Sequence, residues 1–263
     1  MLKPVHTLCL FLLFFSLVTE AQELLSPNKK IRIVVKNDAK SAKDQVQFSI
    51  AYQQGNKLIE VLPLSPLGIS RTDQAFVNNL DFVGTSKAVA IHDKYEMISG
   101  KKKDRENFAN EQTYHYKNSN GALMNIIFRA YNDGVAFRYE FPEKSGLKIN
   151  VTGENTTYKL PEGTTRWIQE FELSYEGFYP LSTTGKAKKI QHWGFPALYK
   201  VNNEQVFALI SEADLSAQNV AASLKNSNEL NNYTVAYPEP RDNFKQQGAM
   251  GTLPWKSQWH TFI

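Results

Sequence analysis

The sequence predicts an all-β protein built as a large β-sandwich. Apolar residues repeat with a period of two in several segments. Short β-branched and aromatic runs recur between Gly, Pro, Asn and Asp, and no stretch alternates strands regularly with long amphipathic helices. With 263 residues, 42% of them apolar, the chain can bury a substantial core and is not a disordered, collagenous or coiled-coil sequence.

Residues 1–21 read as a signal peptide. Lys3 gives a positive start, and the apolar run 8–18 (LCLFLLFFSLV) spans roughly 16 Å as a helix, too short to cross a bilayer. Small residues at Thr19 and Ala21 fit cleavage before Gln22. Cys9 lies inside the run, so a lipid anchor is not expected, and residues 22–263 contain no cysteine for a disulfide. Export to the bacterial periplasm or cell surface fits better than eukaryotic secretion, where disulfides are common. The mature part carries 29 basic and 25 acidic residues, too even a balance to argue for a nucleic-acid or acidic-membrane partner.

Along the mature chain, Val46, Phe48, Ile50 and Tyr52 alternate with polar or small residues. So do Val135, Phe137, Tyr139 and Phe141, and both segments read as half-buried strands. Residues 123–141 form a β-hairpin around Asn132-Asp133-Gly134, the glycine being suited to the positive φ of a tight turn. Further strands are expected at 31–35, 58–62, 82–91, 112–116, 197–201, 206–210 and 233–237. Residues 211–224 are ambiguous, because Ala217, Val220, Ala221 and Leu224 keep helical spacing behind a serine cap. The polar stretches 99–107, 182–189 and 225–232 read as loops within one domain, spanning residues 22–263.

The scan for catalytic motifs returns no glycine-rich phosphate loop, no H-E-x-x-H, no C-x-x-C, no nucleophile elbow and no acidic calcium loop. His92, His115, His192 and His260 are too scattered for metal-ligand spacing and read as surface or packed residues. Lys101, Lys102 and Lys103 read as a solvated loop. Glu170, Glu172 and Glu176 crowd beside Trp167, Tyr175 and Tyr179, so this segment is either a solvated strand face or holds an oxygen ligand for a hard cation. Glu170 and Glu172 could stand at the separation a glycosidase needs, but side by side on a sheet they lack the pocket that would raise one carboxyl pKa. Exposed aromatic faces could stack on sugar rings, with Trp167, Tyr179 and Trp193 as the candidate platform.

Several segments together resemble the amino-terminal domain of glycoside hydrolase family 97. They are Leu25-Ser26-Pro27-Asn28, Ser65-Pro66-Leu67-Gly68, Gly100-Lys101 leading to Asn107-Phe108-Ala109-Asn110-Glu111, and above all Phe128-Arg129-Ala130-Tyr131-Asn132-Asp133-Gly134-Val135-Ala136-Phe137-Arg138-Tyr139. The resemblance covers the mature chain. It implies a super-β-sandwich of the galactose-mutarotase-like type, with few helices, in an exported bacterial enzyme of the group containing α-glucosidases and α-galactosidases. In that family a (β/α)8 barrel follows, carrying the catalytic carboxylates and most ligands of a calcium ion, so no catalytic residue is expected in this chain. Ser174-Tyr175-Glu176 stands where the sandwich lends one carboxylate to the calcium, which points to Glu176.

Two departures from the family pattern stand out. Where the sandwich closes with T-P-W-R, this chain has Ser257-Gln258-Trp259-His260, and the histidine of a family H-E-A motif is Ser211, before Glu212 and Ala213. Glu212 is therefore expected to be structural, and the family pattern extends 218–224 as strand. A shortened gene product, a frameshifted reading frame and a free-standing domain all fit the departures at the closing segment. The partner expected is an oligosaccharide or a catalytic barrel domain, with a free-standing carbohydrate-binding module or a protein-interaction domain as the alternative readings.

Overall fold

The computed structural model describes residues 22–37, 45–185, 191–201, 206–226, 231–238 and 248–263. The signal sequence read at 1–21 and parts of the expected loops 182–189 and 225–232 lie outside them. Every regular element among the described residues is a β-strand, and all pairing is antiparallel.

An 11-stranded sheet forms one layer. From one edge it runs Leu181–Thr183, Thr165–Trp167, Ala197–Lys200, Phe207–Ala213, Trp259–Phe262, Val135–Phe141, Leu123–Tyr131, Asp104–Lys117 and Asp81–Thr85. Trp255–Lys256 also pairs with Val135–Phe141, and Val89–Glu96 with the outer half of Asp104–Lys117. Three four-stranded sheets make up the opposing layer. The first orders Gln22–Leu25, Ile31–Asn37, Val46–Gln54 and Lys57–Pro66. The second orders Ala249–Thr252, Lys148–Glu154, Ile69–Arg71 and Ala75–Phe76, and the third Thr157–Lys159, Asn232–Ala236, Ser223–Asn226 and His192–Trp193.

Alternation explains the layering, because side chains two apart on a strand share a face. Val46, Phe48 and Ile50 are buried between polar or small neighbours, as are Phe137, Tyr139 and Phe141. Each small sheet meets the large one through aromatic rings. Phe48 lies 5.7 Å from Phe128 and 5.1 Å from Phe137, Phe76 lies 5.1 Å from Phe141, and Tyr158 lies 5.0 Å from Phe262. Burial of each such ring stabilises the sandwich by roughly 1.5–3 kcal/mol. The Tyr139 hydroxyl crosses the core, accepting from Gly68 N at 2.9 Å and bonding Thr156 Oγ1 at 2.7 Å.

Four expectations need correction. The run 82–91 is two strands, parted where Ser86 leaves the ladder and its Oγ accepts from Thr113 N at 3.0 Å. The stretch 99–107 is loop only up to residue 103, since Asp104 already begins a strand paired with Glu96. Residues 211–224 are neither helix nor continuous strand. Phe207–Ala213 and Ser223–Asn226 enclose a loop in which Asn219 Oδ1 accepts from Ser216 N and Oγ, while Gln218 Oε1 accepts from Thr252 N at 3.0 Å. Gly134 ends the hairpin turn without positive φ. Its missing side chain is needed because a Cβ there would collide with the backbone oxygen of Phe262.

Candidate functional site

The carboxylate-rich segment forms one excursion at an edge of the large sheet. Thr165–Trp167 leaves it and Leu181–Thr183 returns antiparallel, with Trp167 opposite Leu181, so residues 168–180 close over a base formed by that pair. Inside the excursion, Phe171 N donates to His192 O at 2.9 Å, and Tyr175 N donates to Glu172 O at 3.2 Å. Tyr175 takes φ 54°, a left-handed conformation that reverses the chain immediately before Glu176. Glu176 N then donates to Ser174 Oγ at 3.3 Å, and the residue is exposed.

The same excursion is unusually apolar on its outside. Phe178 is 90% exposed, Leu181 67%, Leu173 57%, Tyr175 42% and Tyr179 41%, with Phe207 nearby on the same sheet at 50%. Trp167 is half-buried, its ring 6.0 Å from that of Phe207. Trp167, Glu176 and Tyr179 thus lie on the excursion or at its base. Trp193 does not. It is 7% exposed, its Nε1 donates to Asn226 Oδ1 at 2.6 Å, and the Arg166 guanidinium covers its ring at 4.3 Å. No face of Trp193 is free to receive a sugar, because burial and the cation–π contact occupy it. Nor do Glu170 and Glu172 share a strand face: Glu170 makes an isolated bridge to Trp193, and Glu172 lies in the following turn.

Two residues that sequence reasoning passed over support the excursion. Arg166 is buried, donates Nε to Ser182 Oγ at 3.0 Å and Nη1 to the Tyr233 hydroxyl, and so ties both stems of the excursion to the third small sheet. Gln169 is fully buried, and neither amide atom has a hydrogen-bond partner among the described residues. A Cβ placed on Gly177 would lie 3.2 Å from Gln169 Oε1 and 2.8 Å from Glu172 Oε1, so both oxygens point at the backbone next to Glu176. Neither had a signal in the sequence, since each role depends on a partner far along the chain.

For calcium, the donor set here is partial. Glu176 offers a hard carboxylate oxygen of the right chemistry, but among the described residues no three His, Cys, Asp or Glu side chains gather to hold a metal. Among the described residues no helix is long and apolar enough to cross a membrane.

Comparison with known proteins agrees with this architecture. A β-arabinopyranosidase crystal structure superposes with a TM-score of 0.78 at 26% identity, over 93% of this chain and 40% of that one. A glycoside hydrolase family 97 enzyme from Pseudoalteromonas sp. strain K8, solved in complex with acarbose, superposes at 0.71 and 20% identity, over 92% of this chain and 35% of that one. In sequence, the chain is 29% identical over 200 residues to a protein of Streptomyces bingchenggensis (strain BCW-1) described as "Probable retaining alpha-galactosidase". That match takes in 75% of this chain and 29% of the relative, so the chain spans less than a third of the curated relative it matches. The family profile "Glycosyl-hydrolase 97 N-terminal" matches residues 24–261. The chain belongs to the amino-terminal domain family of the glycoside hydrolase 97 enzymes.

Proposed function

We propose that this sandwich is the non-catalytic partner of a family 97 catalytic barrel in α-glycoside hydrolysis, packing on the barrel and lending Glu176 to its calcium. The observation that carries the reading is the apolar surface around Glu176: Leu173, Phe178 and Leu181 are more than half exposed on the excursion that bears the carboxylate. Large exposed apolar patches mark interaction surfaces, and this one would bury Glu176 at the centre of a domain contact. A carboxylate delivered across such a contact adds to oxygens supplied by the barrel. Calcium, when bound, would supply a fixed positive charge to the site, and this chain's part would be to hold Glu176 on the Tyr175 turn.

The relatives' names, a probable retaining α-galactosidase and a β-arabinopyranosidase, support a glycoside as the substrate, and the oligosaccharide would enter with the barrel. A carbohydrate-binding role for the sandwich alone rests on Trp167 and Tyr179, which retain exposed area on the same excursion. Export to a bacterial periplasm or cell surface is part of the proposal. The test is complex formation with a family 97 barrel produced without its own sandwich, followed by calorimetry. The wild type should bind, and Phe178→Asp should weaken binding at least tenfold. Equal binding by that variant, or none by the wild type, would refute the packing.

A further inference from the structure

Away from the excursion, a polar cluster occupies the aromatic core. The side chains of His260 and Glu154 are both fully buried, with Nε2 3.1 Å from Glu154 Oε2. The contact is a charge pair when the imidazole is protonated rather than an aligned hydrogen bond, since neither ring nitrogen has a hydrogen-bond partner among the described residues. Glu154 also accepts from Thr156 Oγ1 at 2.8 Å and from the Tyr237 hydroxyl at 2.9 Å. Glu212 is paired directly opposite His260 across the strands Phe207–Ala213 and Trp259–Phe262. Its carboxylate accepts from Ala222 N at 3.1 and 3.2 Å and from Gln258 Nε2 at 3.4 Å. The cluster thus holds two carboxylates and one imidazole, and it is neutral only while two protons are bound.

We propose that Glu154, His260 and Glu212 form a proton-operated clasp, which fastens the strand Trp259–Phe262 and the loop 214–222 to the sandwich at acidic pH and loosens both as the pH rises through neutrality. With both protons bound, imidazolium faces Glu154 and Glu212 is uncharged. Losing them leaves two like charges in a site that water reaches poorly, and burying unpaired charge is costly. Glu212 is the least buried of the three, so hydration enters there. Because the same carboxylate holds Ala222 N, hydrating it frees the end of the loop.

The titration behaviour has the same sign at both groups. Burial raises the Glu212 pKa to about 7, offset in part by the Ala222 hydrogen bond and by His260. At His260, burial acts downward, but the Glu154 and Glu212 carboxylates outweigh it and hold the imidazole above its ordinary value of 6.5. The folded state therefore keeps a proton on Glu212 that the unfolded chain releases above about 4.5, and stability falls from there to about pH 7. The His260 contribution is complete below 6.5 and is lost as the pH rises through the higher folded-state value. Among the described residues, the remaining ionisable groups facing the cluster are phenols: Tyr139, Tyr158 and Tyr237 on the core side and Tyr175 from the excursion. Tyr139, Tyr158 and Tyr237 are held far above their usual range by burial and stay neutral throughout this window.

Thermal unfolding of the purified protein from pH 5 to pH 8.5, wild type beside Glu212→Gln, tests the clasp. The wild type should lose roughly 5–10 °C of Tm over that range, and Glu212→Gln less than half as much. Parallel profiles would overturn the proposal. Should the variant fail to fold, the His260 imidazole is followed by NMR in the wild type over the same range. A midpoint above that of free histidine supports the clasp, and one at or below it overturns it.

Discussion

Glu212 and His260 stand opposite each other in the middle of the large sheet, an acid facing an imidazole on adjacent strands whose side chains share the core face. Glu154 completes the arrangement from the other layer, so the two halves of the sandwich are joined by charge as well as by rings. Removing one partner of a buried ion pair leaves an uncompensated charge, at a cost of about 3–5 kcal/mol. Glu154→Gln should therefore destabilise the protein by that amount in urea unfolding at pH 6. A loss below about 1 kcal/mol would show that the pair is not coupled.

Gly134 is expected to resist substitution for want of space rather than for backbone conformation. Its φ is not positive, but an added Cβ would meet the Phe262 backbone oxygen and lie 3.2 Å from the Ile263 Cα. Backbone cannot step aside as a flexible side chain can, so Gly134→Ala should cost about 1–3 kcal/mol, the usual scale of overpacking. Gly121→Ala is the control for φ, since Gly121 has φ 81° and open space around it. If Gly134→Ala proves neutral while Gly121→Ala is costly, conformation and not contact governs both turns.

What the sequence made legible was periodic and local. Val46 to Tyr52 and Val135 to Phe141 announce their strands because burial alternates along them, and the hairpin between Leu123 and Phe141 follows from its turn. Residues 211–224 misled because Ala and Val spacing imitates a helix, whereas the loop is held by Gln218 and Asn219 bonding to Thr252 and Lys256, far along the chain. Trp193 illustrates the same limit. A tryptophan among polar neighbours is equally a platform or a packing residue until Arg166 is placed on its ring. The excursion bearing Glu176 was visible as a cluster of carboxylates and aromatics, but its closed base at Trp167 and Leu181 and the orphaned amide of Gln169 depend on tertiary pairing.

Activity should be absent from purified residues 22–263. Glycoside hydrolysis requires an acid and a base or nucleophile roughly 5–10 Å apart around a bound sugar, and Glu170 and Glu172 are exposed on different local structures. No release of nitrophenol from aryl α-glucosides or α-galactosides is expected. Turnover abolished by Glu170→Gln or Glu172→Gln would place a catalytic pair in the excursion.

Shared calcium is the central claim, and titration calorimetry of the isolated protein addresses it most directly. If Glu176 is one ligand of a shell completed elsewhere, water must fill the remaining positions, and binding should be no tighter than about millimolar, the weak end for protein sites. Stabilisation by a ligand grows only once its concentration exceeds the dissociation constant, so submillimolar calcium should leave Tm unmoved. Wild type and Glu176→Gln should then give the same flat isotherm. Micromolar binding that disappears in Glu176→Gln would mean that the sandwich carries a complete calcium site of its own, contradicting the division of labour proposed for it.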